Sequence, residues 1–146
     1  MAALLYPAVK LLAYTFWCYL GLRHFRSSVN GVYSRSLLYG FLRLLMGLFF
    51  AVVIWLISTI VLSHIGYGLP QNILTYVLVY VPVRWIEWSI MAALIVPDSF
   101  PLLRWVSATS PRDRNWRLGG IVISCLADIP LIASLGGVIP TGRFLC

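Results

Sequence analysis

The chain has 146 residues, 61% of them hydrophobic and 10% charged, with a formal net charge of +7. Soluble domains carry roughly 25% charged residues, so this composition excludes a protein that meets water on every side. It also leaves no room for a second domain beside the apolar segments. Ten arginines and Lys10 outnumber four acids. In a soluble protein that balance would suggest nucleic acid, but most of the arginines lie in two loops between apolar runs, where membrane topology and anionic lipid headgroups account for them. No nucleic-acid partner is expected.

A membrane span needs roughly 20 apolar residues, and four segments qualify, giving an all-α membrane bundle of about four transmembrane helices. The first covers about 4–22 and ends at Arg23-His24-Phe25-Arg26. It has no positive segment before it and Lys10 interrupts it, so it reads as a retained helix and not a cleaved signal peptide. Lys10 lies about one turn inside the outer edge, close enough to snorkel to the headgroups. Loop one follows with Arg23, Arg26 and Arg35. Trp17 and Tyr19 suit the membrane interface at this end.

The second span covers about 41–63. Gly47 and Ala51 form a small-x-x-x-small pair that allows close helix packing. Arg43, near its start, is expected to snorkel to the inner headgroups. A short loop (64–71) with Gly66, Gly68 and Pro70 carries no Lys or Arg.

The third span, about 72–96, holds two ionisable groups near the expected midplane, Arg84 and Glu87. Helical spacing extends their face to Tyr76, Tyr80 and Met91, a polar stripe in an apolar helix. Loop three (97–118) holds Arg104, Arg112, Arg114 and Arg117 beside Asp98 and Asp113, and its segment 100–106 could lie flat on the membrane surface. The fourth span, about 119–139, aligns Gly120, Ser124 and Asp128 on one face. Loops one and three share seven arginines against none in loop two, which places them in the cytoplasm and both termini on the non-cytoplasmic side.

Arg84, Glu87 and Asp128 are the candidate site. Each charge costs roughly 2.5–3.5 kcal/mol at a helix centre in a bilayer, so it must pair, face the interior or line water. Antiparallel packing of spans three and four would let two carboxylates share Arg84, as a structural salt bridge or as a proton or ion site. Tyr76, Tyr80 and Ser124 would support it. Pro82 and Pro130 lie beside it, each removing a backbone donor. The segment Arg84-Trp-Ile-Glu-Trp-Ser-Ile resembles the third-helix segment of heliorhodopsins over seven residues, where the arginine and the glutamate three residues later serve the retinal counterion. That resemblance would imply a retinal lysine in a seventh helix, whereas this chain's one lysine is Lys10 in span one, and charge bias orients span three oppositely.

No catalytic residue, cofactor or metal site is evident. His24 and His64 lie at opposite membrane faces, and Cys18, Cys125 and Cys146 are scattered. The expected function is a non-catalytic subunit or assembly component of a membrane complex or homo-oligomer, partnered by lipid and by other membrane helices. The alternatives are a proton- or ion-coupled transporter or channel built on Arg84, Glu87 and Asp128, and an intramembrane lipid-modifying enzyme with Ser124 or water as nucleophile.

Overall fold

The computed structural model describes residues 2–26, 30–66, 68–95, 108 and 110–134. All regular structure among them is helical: α1 (Ala2–Phe25), α2 (Val32–Ile65), α3 (Leu69–Thr75), a π-helical turn (Tyr76–Tyr80), α4 (Val81–Ile95) and α5 (Pro111–Ser134). The elements α3, π turn and α4 run on as one rod, so the described chain forms four rods.

Local chemistry moves several expected boundaries. Helix α2 starts at residue 32 and not 41, because the first break upstream is Gly31, whose φ of 70° lies in the left-handed region. It ends at Gly66 (φ 83°), whose N–H reaches the Leu62 carbonyl at 2.9 Å. Its 34 residues extend roughly 51 Å at 1.5 Å per residue, well beyond the ~30 Å of a hydrocarbon core. Helix α5 starts at residue 111 and not 119. Ser110 Oγ accepts the Asp113 N–H at 3.1 Å, and Pro111 occupies the first helical position, where its missing donor costs nothing. Arg112 to Leu118 are therefore helical instead of loop. Pro82 has no N–H for the Leu78 carbonyl and its ring crowds that oxygen; the wider π turn immediately before it gives the ring room. The expected surface segment 100–106 with the rest of 97–107 and residue 109 of loop three, and residues 135–139 of the fourth span, lie outside the described residues.

The rods pack up-down-up-down. Helix α1 contacts α2 and α5, and α4 contacts the same two, while the backbones of α2 and α5 stay apart among the described residues. Thus α1 and α4 form the short diagonal, closed by Tyr14 and Trp88 edge to face at 6.0 Å. Tryptophans key the helices together by seating on glycines. A Cβ on Gly21 would stand 2.7 Å from the Trp116 indole nitrogen, and Gly119 and Gly120 face the rings of Trp17 and Trp88 in the same way. Gly47 is buried and Ala51 half-buried, with Ala51 packed beside Ile54, Val79, Tyr80 and Val83. The small-residue face of α2 is thus turned into its own bundle.

The polarity runs opposite to that of a soluble bundle. Lys10, Arg43, Arg84, Glu87, Asp113, Arg117 and Asp128 are all buried, whereas Leu45, Phe49, Val52, Trp55 and Leu56 of α2 are exposed. Val32–Ile65, Ile73–Ile95 and Pro111–Ala133 are each long and apolar enough to cross a membrane. Helix α1, expected as the first span, has 24 residues with Pro7 and Lys10 inside it and is not among these three.

Candidate functional site

Three layers of buried ion pairs are stacked along the bundle axis. The layer nearest the chain's amino terminus centres on Asp128. Its Oδ1 lies 3.0 Å from Lys10 Nζ and accepts a hydrogen bond from the Tyr6 hydroxyl at 2.8 Å. Its Oδ2 pairs with Arg84 Nη2 and faces the Tyr76 hydroxyl at 3.4 Å. Arg84 Nη1 donates to Tyr76 Oη (2.9 Å) and to Cys125 Sγ (2.8 Å). Tyr80, fully buried, stacks on Tyr76 at 4.8 Å. Tyr6 and Lys10 are one helical turn apart on α1, so both face α5.

The second layer is one pair, Arg43 on α2 with Glu87 on α4. Nη2 meets Oε2 at 2.5 Å and both side chains are 0% exposed. The guanidinium lies over the rings of Tyr14 (4.8 Å) and Trp88 (5.3 Å), which shield it while accepting part of its charge. Glu87 Oε1, Arg43 Nε and Nη1 and the Tyr14 hydroxyl have no hydrogen-bond partner among the described residues. Trp88 Nε1 donates to Ser124 Oγ (3.1 Å), which itself donates to the Gly120 carbonyl (2.9 Å).

The third layer closes the opposite end. Arg117 grips Asp113 with two hydrogen bonds, at 2.8 and 2.7 Å, and donates to Ser89 Oγ at 2.9 Å. Its guanidinium lies 5.7 Å from the Trp85 ring.

The structure joins Arg84 to Asp128, as the antiparallel packing predicts, but gives Glu87 a different partner. Three residues on a helix rotate a side chain by about 60°. Arg84 therefore points to α5 while Glu87 points to α2. The two snorkelling expectations are corrected. Lys10 is 1% exposed and Arg43 0%, because each finds a carboxylate within reach and a buried pair costs less than an unpaired carboxylate left behind. Arg117 and Trp116, expected in a loop, are buried on α5. Ser124 Oγ accepts from the Trp88 indole and donates its proton to the Gly120 carbonyl, so among the described residues no acid or base is hydrogen-bonded to it.

The charge balance locates an asymmetry. Among the described residues four buried cations (Lys10, Arg43, Arg84, Arg117) face three buried carboxylates (Glu87, Asp113, Asp128). Two layers are neutral, so the surplus of one positive charge belongs to the Asp128 layer. Prolines flank that layer on three rods: Pro7 beside Tyr6, Pro82 before Arg84 and Pro130 after Asp128. Among the described residues no group of His, Cys, Asp and Glu is placed to hold a metal. Comparisons with protein families, with curated proteins and with solved structures find no match.

Proposed function

We propose that this chain is a four-span integral membrane protein, with both termini on the non-cytoplasmic side, that serves as a non-catalytic subunit or scaffold of a membrane complex or homo-oligomer. The observation that carries the reading is the pairing of all three described carboxylates with buried cations, beneath an outer surface of large apolar side chains. Buried charges paired between helices hold those helices to one another, and an apolar exterior of this extent needs lipid or a partner helix to cover it. The Arg-rich end then faces the cytoplasm by the positive-inside rule.

The test has two parts. Single cysteines at Arg35 and Arg114 should react with a membrane-impermeant reagent only from the cytoplasmic side, and one at Ser63 only from the other. Native mass analysis of the gently solubilised protein should show partner chains or further copies in fixed ratio. A lone monomer would overturn the scaffold reading, and labelling of all three sites from one side would overturn the topology.

One observation favours a second reading, a proton- or ion-coupled carrier. The Asp128 layer holds surplus formal charge at a level where three rods carry a proline, and proline-bearing helices beside charges suit midplane ion sites. In that reading Asp128→Asn abolishes flux in proteoliposomes while Arg117 variants change only stability.

A further inference from the structure

Between the end of α1 and the start of α2 lies a cavity of about 400 Å³, lined by Tyr19, Arg23, Arg26, Val32 and Tyr33. We infer that this cavity binds an esterified phosphate, supplied by the headgroup of an anionic phospholipid or by a soluble phosphate ester. The lipid form rests on the membrane reading above.

Charge carries the argument first. Arg23 lies in the last turn of α1, and Arg26 follows its last residue with its N–H still on the Leu22 carbonyl at 2.9 Å, so the two stay on one side of the helix end. Among the described residues neither has a carboxylate partner: Glu87, Asp113 and Asp128 are paired elsewhere, with Lys10, Arg43, Arg84 and Arg117. Arg26 Nε is buried with no hydrogen-bond partner among the described residues. The first turn of α2, on the other side of the cavity, contains no acid, so nothing there offsets the positive end of that helix.

Pre-organisation comes next. Arg23 Nη1 donates to the Tyr19 hydroxyl at 3.0 Å, and Tyr19 stacks on Tyr33 at 5.3 Å with the rings 18° apart. One ring comes from each helix, so the stack fixes the wall and holds one guanidinium against it. Arginine forks match phosphate oxygens bidentately, and phenol hydroxyls can supply further donors. The volume falls in the range of roughly 300–1,000 Å³ typical of small-molecule clefts, which suits a phosphate with its ester group. A second cavity nearby, about 430 Å³ between α1 and α5, has Arg112 as its one arginine, beside His24, Asn115, Leu20 and two tryptophans, and lacks the paired forks.

The test uses the full chain in neutral detergent, titrated separately with short-chain phosphatidylglycerol and with glycerol phosphate, and read by native mass spectrometry. One molecule should bind. Arg23→Gln and Arg26→Gln should each weaken it by about tenfold or more, the effect of losing a charged hydrogen bond, whereas Arg114→Gln should leave it unchanged. Circular dichroism confirms that each variant is folded, and Tyr33→Phe supplies a further variant that leaves the charge intact. Binding of the lipid alone assigns the site to a headgroup; binding of glycerol phosphate as well assigns it to phosphate esters in general. The glycerol phosphate arm needs no bilayer, so it decides the site even if the topology experiment fails. Absence of binding by both ligands, or equal weakening by Arg114→Gln, overturns the inference.

Discussion

Arg43 and Glu87 meet at 2.5 Å in the middle of the bundle, both fully buried and carried by different helices. Removing one partner strands the other charge, which costs about 3–5 kcal/mol in buried pairs, whereas replacing both by apolar residues of similar volume is often neutral. Glu87→Gln is therefore expected to lower stability strongly, and Arg43→Met with Glu87→Leu to recover most of the loss. Denaturant unfolding in detergent, followed by tryptophan fluorescence, gives the comparison. If Glu87→Gln unfolds like the wild type, Glu87 is not held as a charge and its place in the bundle core needs another cause.

The rods themselves were legible in the apolar runs, and so was the stripe Gly120–Ser124–Asp128, because a face at helical spacing needs no tertiary information; Tyr76, Tyr80 and Arg84 were legible as polar residues four apart, but the π turn that sets where the tyrosines point was not. The Arg43–Glu87 pair was not. A span sized to the hydrocarbon core put Arg43 at its edge, yet Gly31 lets α2 begin about two and a half turns earlier. The usable signal was the small and polar series Ser36, Gly40, Arg43, Gly47, at alternating spacings of four and three. Lys10 was misread for a similar reason. Alone it resembles a snorkelling lysine, but Tyr6, Lys10, Tyr14 and Cys18 recur every fourth residue and mark one buried face. Arg117 was hidden by a missed helix start, although Ser110-Pro111 followed by Asp113 is a start signal.

The Asp128 layer makes an ordered prediction. Asp128→Asn leaves Lys10 and Arg84 buried without a carboxylate, while Lys10→Met leaves Arg84 to neutralise Asp128. The first should cost several kcal/mol and the second much less. Thermal unfolding of the two variants ranks them. A Lys10→Met variant less stable than Asp128→Asn would mean that the lysine, and not the carboxylate, organises this layer.

Gly40 lets α1 and α2 touch. A Cβ there would lie 2.8 Å from the Thr15 backbone, and backbone cannot move aside as a side-chain tip can. Gly40→Ala should cost about 1–3 kcal/mol, the usual range for forced overpacking. Gly68→Ala meets only the side chain of Gln71 and should change stability by less than about 0.5 kcal/mol. Equal effects at the two positions in a thermal unfolding assay would show that the close approach at Thr15 is not what holds these helices.

Pro82 and the π turn set where Tyr76 points. A π turn carries one residue more than an α turn, and each residue adds about 100° of rotation. With Pro82→Ala the missing donor returns, the crowding at Leu78 ends, and the rod can close into regular α-helix. Tyr76 and Tyr80 would then swing away from Arg84 and Asp128, although α4 itself stays in place. A double-mutant cycle isolates this from overall stability. In the wild-type background, Tyr76→Phe and Asp128→Asn should couple by about 0.5–3 kcal/mol, as contacting residues do. In the Pro82→Ala background that coupling should vanish. If it persists unchanged, the π turn follows from the packing of Tyr80 and not from the proline, and Pro82 is an accommodated residue instead of the cause.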